Sequence, residues 1–145
     1  MGIKIAKTDD EIMKCYDTMS QLRPDVKKED FLPQVKRQGK YDYQLAFIED
    51  KGKVVSVAGF RFSETLAWGK IMYVDDLITD RKQRSKGYGD KIIDWLVDLA
   101  KKSGCKEFHL DSAVHRFSAH RFYFRKRLTI SCYHFEVILN DKERE

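Results

Sequence analysis

The stretch Tyr73–Trp95, YVDDLITDRKQRSKGYGDKIIDW, most constrains what this chain can fold into. It opens with an extended run over Tyr73–Ile78, apolar apart from Asp75 and Asp76. A polar segment follows, Asp80–Lys86, carrying Arg81, Lys82, Arg84 and Lys86. Gly87 and Gly89 then flank Tyr88, and Ile92, Ile93, Leu96, Val97 and Leu99 recur at helical spacing. The order is strand, tight basic turn, helix. The first amides of a helix have no internal partner and sit at the positive end of its dipole. Glycines there allow positive φ and let an anion come close to the backbone. Such a segment either holds a phosphate or simply turns a strand into a helix.

Spacing excludes two other phosphate binders. No GxxxxGK[ST] string is present, and the third glycine of a dinucleotide fingerprint would fall at Ile92.

The string Arg84-Ser85-Lys86-Gly87-Tyr88-Gly89 resembles the acyl-CoA loop of the GNAT superfamily of N-acetyltransferases, whose signature is Gln/Arg-x-x-Gly-x-Gly/Ala between a strand and a helix. A second block, Ala119-His120-Arg121-Phe122-Tyr123 followed by Arg127-Leu128, resembles that family's Ala-x-x-Phe/Leu-Tyr helix and the Gly-Phe after it. The likeness runs specifically over Val54–Leu139 and more loosely before it. It implies an enzyme that moves an acetyl group from acetyl-CoA, its co-substrate, to a primary amine of a small molecule or protein by direct attack in a ternary complex. It implies that the backbone of Arg84, Ser85, Lys86, Gly87, Tyr88 and Gly89 holds the pyrophosphate, with Asp90 in the first helical turn beside it. Leu77, Ile78 and Thr79 would line the pantetheine arm. Tyr123 would protonate the departing thiolate.

Two positions depart from the pattern. Arg116 stands where the family often has an Asn against CoA, and Arg127 replaces the glycine of Gly-Phe. Glycine ends a helix there by adopting positive φ, so an arginine carries strain or needs another turn geometry. Arg116, Arg121, Arg125, Lys126 and Arg127 form a basic cluster, read either as a solvated helix surface or as a contact for the 3′-phosphate of CoA.

The amine is the demanding part of such a reaction. With a pKa near ~10.4, roughly one lysine-type amine in a few thousand is neutral at pH 7, a deficit of about 4–5 kcal/mol. A base is therefore useful. Candidates are Asp75, Asp76, Glu64 and His120. Strand alternation puts Asp75 on the face of Tyr73 and Leu77 and Asp76 on the opposite one, so only one aspartate is expected to face the cleft. The alternative is that the pair is structural.

The rest of the chain predicts an α+β fold in one domain, 1–145, with helices flanking a mixed sheet: an antiparallel meander plus one parallel crossover. A strand over Gly2–Ala6 precedes a helix capped by Thr8 or Asp9 with Ile12, Cys15, Tyr16 and Met19 on one face. A second helix runs from Asp25 or Lys28 to Gln38, with Pro33 in its first turns. Strands over Tyr43–Glu49 and Val54–Arg61 form a hairpin about Asp50-Lys51-Gly52-Lys53, and Trp68–Ile78 is the next strand. Gly87–Lys102 is the central helix, stopped at Ser103-Gly104. Lys106–Leu110 is then parallel to the strand before that helix. A helix over Ser118–Lys126 leads to a last strand, Thr129–Leu139, with Tyr133, Phe135, Val137 and Leu139 on one face, and a charged tail, Asn140–Glu145.

Composition bounds the partners. The net charge of +5 suits an anionic ligand, but 23 acidic residues make the surface mixed and no DNA-reading motif is present, so nucleic acid is not expected. No apolar run spans a bilayer, and the start lacks a signal-peptide core, which predicts a cytoplasmic protein with no membrane partner. Cys15, Cys105 and Cys132 are scattered, without CxxC, so neither a disulfide framework nor a metal site is expected. In the resembled fold the acceptor is selected by Gln21–Lys28 and by the region after Leu128. Arg23, Lys27 and Lys28 make the first of these basic, which disfavours polyamines. The acceptor itself and the oligomeric state, a homodimer included, stay open. An acyl-CoA-binding regulatory module with little turnover is the alternative to an enzyme.

Overall fold

The computed structural model describes residues 2–140. The chain divides into two compact units, one ending at Leu110 and one beginning at Asp111.

The first unit is built on a sheet of β1 (Ile3–Ile5), β2 (Gln44–Asp50), β3 (Lys53–Thr65), β4 (Gly69–Thr79) and β5 (Glu107–Leu110), neighbours in that order. Pairing is antiparallel from β1 to β4, and β4–β5 is parallel. The expected meander and crossover are what form. The β2–β3 turn places Lys51 at φ 53 and Gly52 at φ 78, the two positive values that let a two-residue loop match strand twist.

Helices cover both faces, which is why β2 and β3 read as nearly continuous apolar runs. On one face α1 (Asp9–Lys14), α2 (Tyr16–Leu22) and α3 (Lys28–Gly39) bury Leu45, Phe47, Val57 and Ile78. On the other, α4 (Tyr88–Lys102) buries Ala46, Ile48, Ala58, Phe60, Met72 and Val74 under Ile92 and Leu96.

Thr8 is the cap of α1. Its hydroxyl accepts from the Glu11 amide at 3.1 Å and Glu11 Oε1 accepts from the Thr8 amide at 3.0 Å. These amides, with that of Lys7, hold the Glu11 carboxyl below its usual range. The single helix expected to follow is two, because the Cys15 amide donates to Ile12 O three residues back and tightens the chain before α2 starts. Pro33 lies in the second turn of α3, where its missing N–H removes an internal hydrogen bond.

The second unit contains α5 (Phe117–Arg125), after which Arg127 adopts φ 68. The strand expected over Thr129–Leu139 is not there. Alternation fixes which side chains share a face, but a strand exists only where its amides and carbonyls meet a neighbour's. Residues 129–139 form no ladder, and Tyr133, Phe135, Val137 and Leu139 are exposed. His134 Nδ1 pairs with the Asp111 carboxylate. The charged tail beyond Asn140 lies outside the described residues. Among the described residues no helix is long and apolar enough to cross a membrane.

Candidate active site

At the end of β4, Leu77, Ile78 and Thr79 lead into a 3₁₀ turn over Arg81–Gln83, which starts where the Asp80 carboxylate accepts from the Lys82 amide at 3.1 Å. Two residues of the loop are left-handed, Ser85 at φ 66 and Gly87 at φ 83. A Cβ at Gly87 would meet nothing within 4 Å, so glycine is needed there for its backbone rather than for space. No side chain caps α4. Arg84, Ser85 and Lys86 are exposed, and Lys86 Nζ donates to Gln83 Oε1 at 2.7 Å. An uncapped helix start, two left-handed turn residues and exposed cationic side chains together fit a pyrophosphate.

Tyr88 points the other way. It is buried, and its hydroxyl donates to Asp50 Oδ2 at 3.0 Å. Burial, then the Asp50 carboxylate, pushes the phenol's pKa up. Its side chain pegs α4 to the end of β2. Gly89 and Asp90 follow in the first turn, partly exposed.

Four residues before the end of β4, the ladder breaks. Gly59 pairs with Asp76 and Phe60 with Val74, so Asp75 is an extra residue with no partner on β3. This bulge corrects the expectation that alternation sends the two aspartates to opposite faces. Both line one cavity of about 520 Å³. Leu77 packs instead among the residues under α4, so it does not share a face with Asp75.

Each carboxylate has its own arginine. Asp75 accepts from Arg61 Nε at 3.0 Å and Nη2 at 3.3 Å. Asp76 accepts from Arg23 Nε at 2.8 Å and from the Tyr43 hydroxyl at 2.6 Å. Arg23 Nη2 also donates to the Asp75 carbonyl at 3.0 Å. Burial pushes the Asp75 carboxyl above its usual value, against the pull of Arg61. Burial, reinforced by Asp76, holds the Tyr43 phenol well above its ordinary range. Met19, Val26, Phe31 and Val35 supply apolar wall. Glu64 is exposed on β3 and is not among the residues lining this cavity.

Sequence reasoning passed over Tyr43, Gly59 and Arg61, and took Arg23 only as part of a basic segment. One signal was available: a glycine inside a strand pattern marks a bulge or a close approach. Gln21 was missed as well. Its side-chain amide donates to Asp80 Oδ1 at 3.1 Å, and its carbonyl accepts from the Arg81 amide at 3.0 Å. The bond from the Gln21 side-chain amide is the main cause holding the Asp80 carboxyl below its usual range.

In the second unit, Tyr123 is half-buried on α5. Burial raises its pKa and Arg116, at the helix start, opposes the shift. His120 Nε2 lies 2.8 Å from the Ala113 carbonyl, which accepts a hydrogen bond from that nitrogen. Arg121, Arg125 and Arg127 are exposed, and the Arg125 guanidinium stands 5.3 Å from the centre of the Phe122 ring.

The model of the Acetyltransferase (GNAT) family matches residues 7–128, a span that runs through both the loop and α5. The chain belongs to that family. A GNAT relative in Bacillus subtilis, the uncharacterized N-acetyltransferase YhdJ, is 30% identical over 135 residues, covering 92% of this chain and 95% of its own. Glucosamine 6-phosphate N-acetyltransferase of Arabidopsis thaliana is 27% identical over 77 residues, about half of each chain. The crystal structure of an Arabidopsis thaliana glucosamine-6-phosphate N-acetyltransferase superposes with a TM-score of 0.76 at 21% identity, over 97% of this chain and all of that one. A putative acetyltransferase from Agrobacterium tumefaciens gives 0.82 at 15% identity, over 96% of this chain and all of that one. At these identities the solved structures show the GNAT fold. The protein is a GNAT acyltransferase that uses acetyl-CoA as co-substrate.

Proposed function

We propose that this GNAT protein acetylates a primary amine of a small molecule or protein by direct attack of the amine on the acetyl-CoA thioester in a ternary complex. The observation that carries the reading is the bulge that turns Asp75 and Asp76 into one cavity. Asp75 is the base. It has one side-chain partner, Arg61, and burial raises its pKa towards that of a useful proton acceptor. Asp76 is bound by both Arg23 and Tyr43 and is the positioning group.

The acceptor enters as an ammonium ion and gives a proton to Asp75. The neutral nitrogen attacks the thioester carbonyl carbon, the C–N bond forms and the C–S bond breaks. The amine's second proton leaves to solvent, and the thiolate takes one from Tyr123. The loop Arg84–Gly89 holds the pyrophosphate through its amides, and Leu77, Ile78 and Thr79 line the pantetheine arm. Arg23 and Arg61 offset the cavity's two carboxylates, which favours an amine with an apolar body over a polycation.

Thiol release from acetyl-CoA across a panel of arylalkyl amines, amino sugars, polyamines and lysine peptides tests this, with Asp75→Asn beside the parent. Turnover of a monoamine that the variant loses supports the proposal. Thermal stabilisation by acetyl-CoA with no release from any amine would favour the regulatory-module alternative. A ligand at ~100 times its Kd adds about 2.7 kcal/mol, so binding is measured independently of turnover.

A further inference from the structure

Arg23 and Arg61 each turn one edge of the guanidinium to the aspartates and keep the other. Arg61 gives Nε and Nη2 to the two oxygens of Asp75, at 3.0 and 3.3 Å. Arg23 gives Nε to Asp76 and Nη2 to the Asp75 carbonyl, at 2.8 and 3.0 Å. The remaining edge of each, Nη1 with the second proton of Nη2, meets no acceptor among the described residues. That edge is a planar fork of two donors, the shape that pairs a carboxylate through both its oxygens. The two arginines differ in how far they are neutralised. Arg61 faces a whole carboxylate and lies 4.8 Å over the Tyr73 ring. Arg23 has one oxygen of Asp76, whose other oxygen accepts from the Tyr43 hydroxyl, and a neutral carbonyl. Its side chain is also the more open, 49% exposed against 38%. The surplus positive charge of the cavity wall therefore sits at Arg23.

We infer that the acceptor is an α-amino acid with an apolar side chain, its ammonium on Asp75 and its carboxylate on the free fork of Arg23. This rests on the reading of Asp75 as the base. Arg23 is fastened to the main chain of Asp75 itself, so the groups that receive the ligand's two charges lie within one residue of each other. A ligand with amine and carboxylate on one carbon matches that reach. One that carries them at the ends of a long chain does not. Charge agrees: two arginines against two aspartates leave the cavity neutral. That suits a neutral zwitterion better than a bare ammonium or an aminoalkyl phosphate carrying net negative charge. Phe31 and Val35 of α3, with Met19 and Val26, wall the place for the side chain. The carboxylate forms and breaks no bond. The amine is acylated as above, C–N forming and C–S breaking, and the carboxylate only fixes the nitrogen in place.

The test is initial-rate thiol release from acetyl-CoA with matched pairs, phenylalanine against phenethylamine and leucine against isopentylamine, with phosphoethanolamine and a lysine peptide beside them. Each acid should exceed its decarboxylated partner in kcat/KM by about 10–100-fold, the worth of hydrogen bonds to a charged group. In Arg23→Gln that ratio should fall towards one. Arg23→Lys, which keeps the charge and loses the fork, should fall between. A ratio taken within one variant cancels any loss common to both substrates, so a disturbed Asp76 does not mimic the result. Amines used as well as the acids, with Asp75→Asn inactive, overturn the inference and leave the base in place. So does phosphoethanolamine or the lysine peptide used better than the acids, or a ratio that both Arg23 variants leave unchanged. No release from any substrate removes the base and the acceptor together. Where neither variant folds, the parent's ratio decides alone.

Discussion

The Tyr43 hydroxyl donates to Asp76 Oδ2 over 2.6 Å, through space that exists because residue 59 has no side chain. A Cβ on Gly59 would stand 1.9 Å from Tyr43 Oη and 2.8 Å from Asp76 Oδ2. Gly59→Ala should therefore displace the ring and cost about 1–3 kcal/mol in denaturant unfolding, with kcat/KM for the amine falling alongside. Gly39→Ala is the control: its Cβ meets nothing within 4 Å, and stability should hold or rise.

The bulge makes the two aspartates distinguishable by experiment. As the proposed base Asp75 would work as a carboxylate, and burial raises its pKa above the ordinary 3.8. Activity should then fall as pH drops through that raised value and recover above it. Asp75→Asn should lower kcat by roughly 10²–10⁴-fold and abolish the acid limb of the kcat/KM profile. Asp76→Asn should weaken activity and keep the limb. The reverse pattern would make Asp76 the base.

Gly87 and Gly52 separate loop strain from ligand binding. They have φ 83 and φ 78, and a Cβ on either meets nothing within 4 Å. Each change to Ala should cost about 1–2 kcal/mol of stability from the left-handed backbone alone. Only Gly87→Ala, which moves amides at the start of α4, should raise KM for acetyl-CoA. Equal effects on KM would remove the pyrophosphate from the loop.

Arg127 holds φ 68 without being glycine. Arg127→Gly should relieve about 1 kcal/mol, which raises Tm by roughly 2–4 °C for a chain of this size. A calorimetric scan reads it directly. A drop in Tm would mean that the arginine side chain makes contacts worth more than its backbone strain.

Most of the fold was legible because its signals are local. The run Ile92, Ile93, Leu96 gave α4, and a helix between two strands forced β4 and β5 to be parallel. The glycine loop was legible as a string. The cavity was not, because its residues are far apart in sequence and one geometric event joins them. Alternation is the right rule for Asp75 and Asp76 until an extra residue enters the strand, and Gly59, on the facing strand, is where that is written. The rule also failed at Thr129–Leu139: the pattern there is a strand's, but pairing depends on a neighbour that sequence alone does not name.

Gln21 closes α2 and clasps both the Asp80 carboxylate and the Arg81 amide, where β4 gives way to the loop. On the same helix Met19 lines the cavity, and Arg23 just beyond it does too. One side chain thus fastens the wall of the proposed acceptor cavity to the start of the loop proposed to cradle the co-substrate. Occupying either place should be felt at the other. Acetyl-CoA that steadies the loop would tighten the amine, and by reciprocity the amine would tighten acetyl-CoA by the same factor. Calorimetric titrations of each ligand in the presence and absence of the other should return matching ratios, and Gln21→Ala should bring both towards one. The two substrates would then bind as a conversation across a single amide, not as independent events.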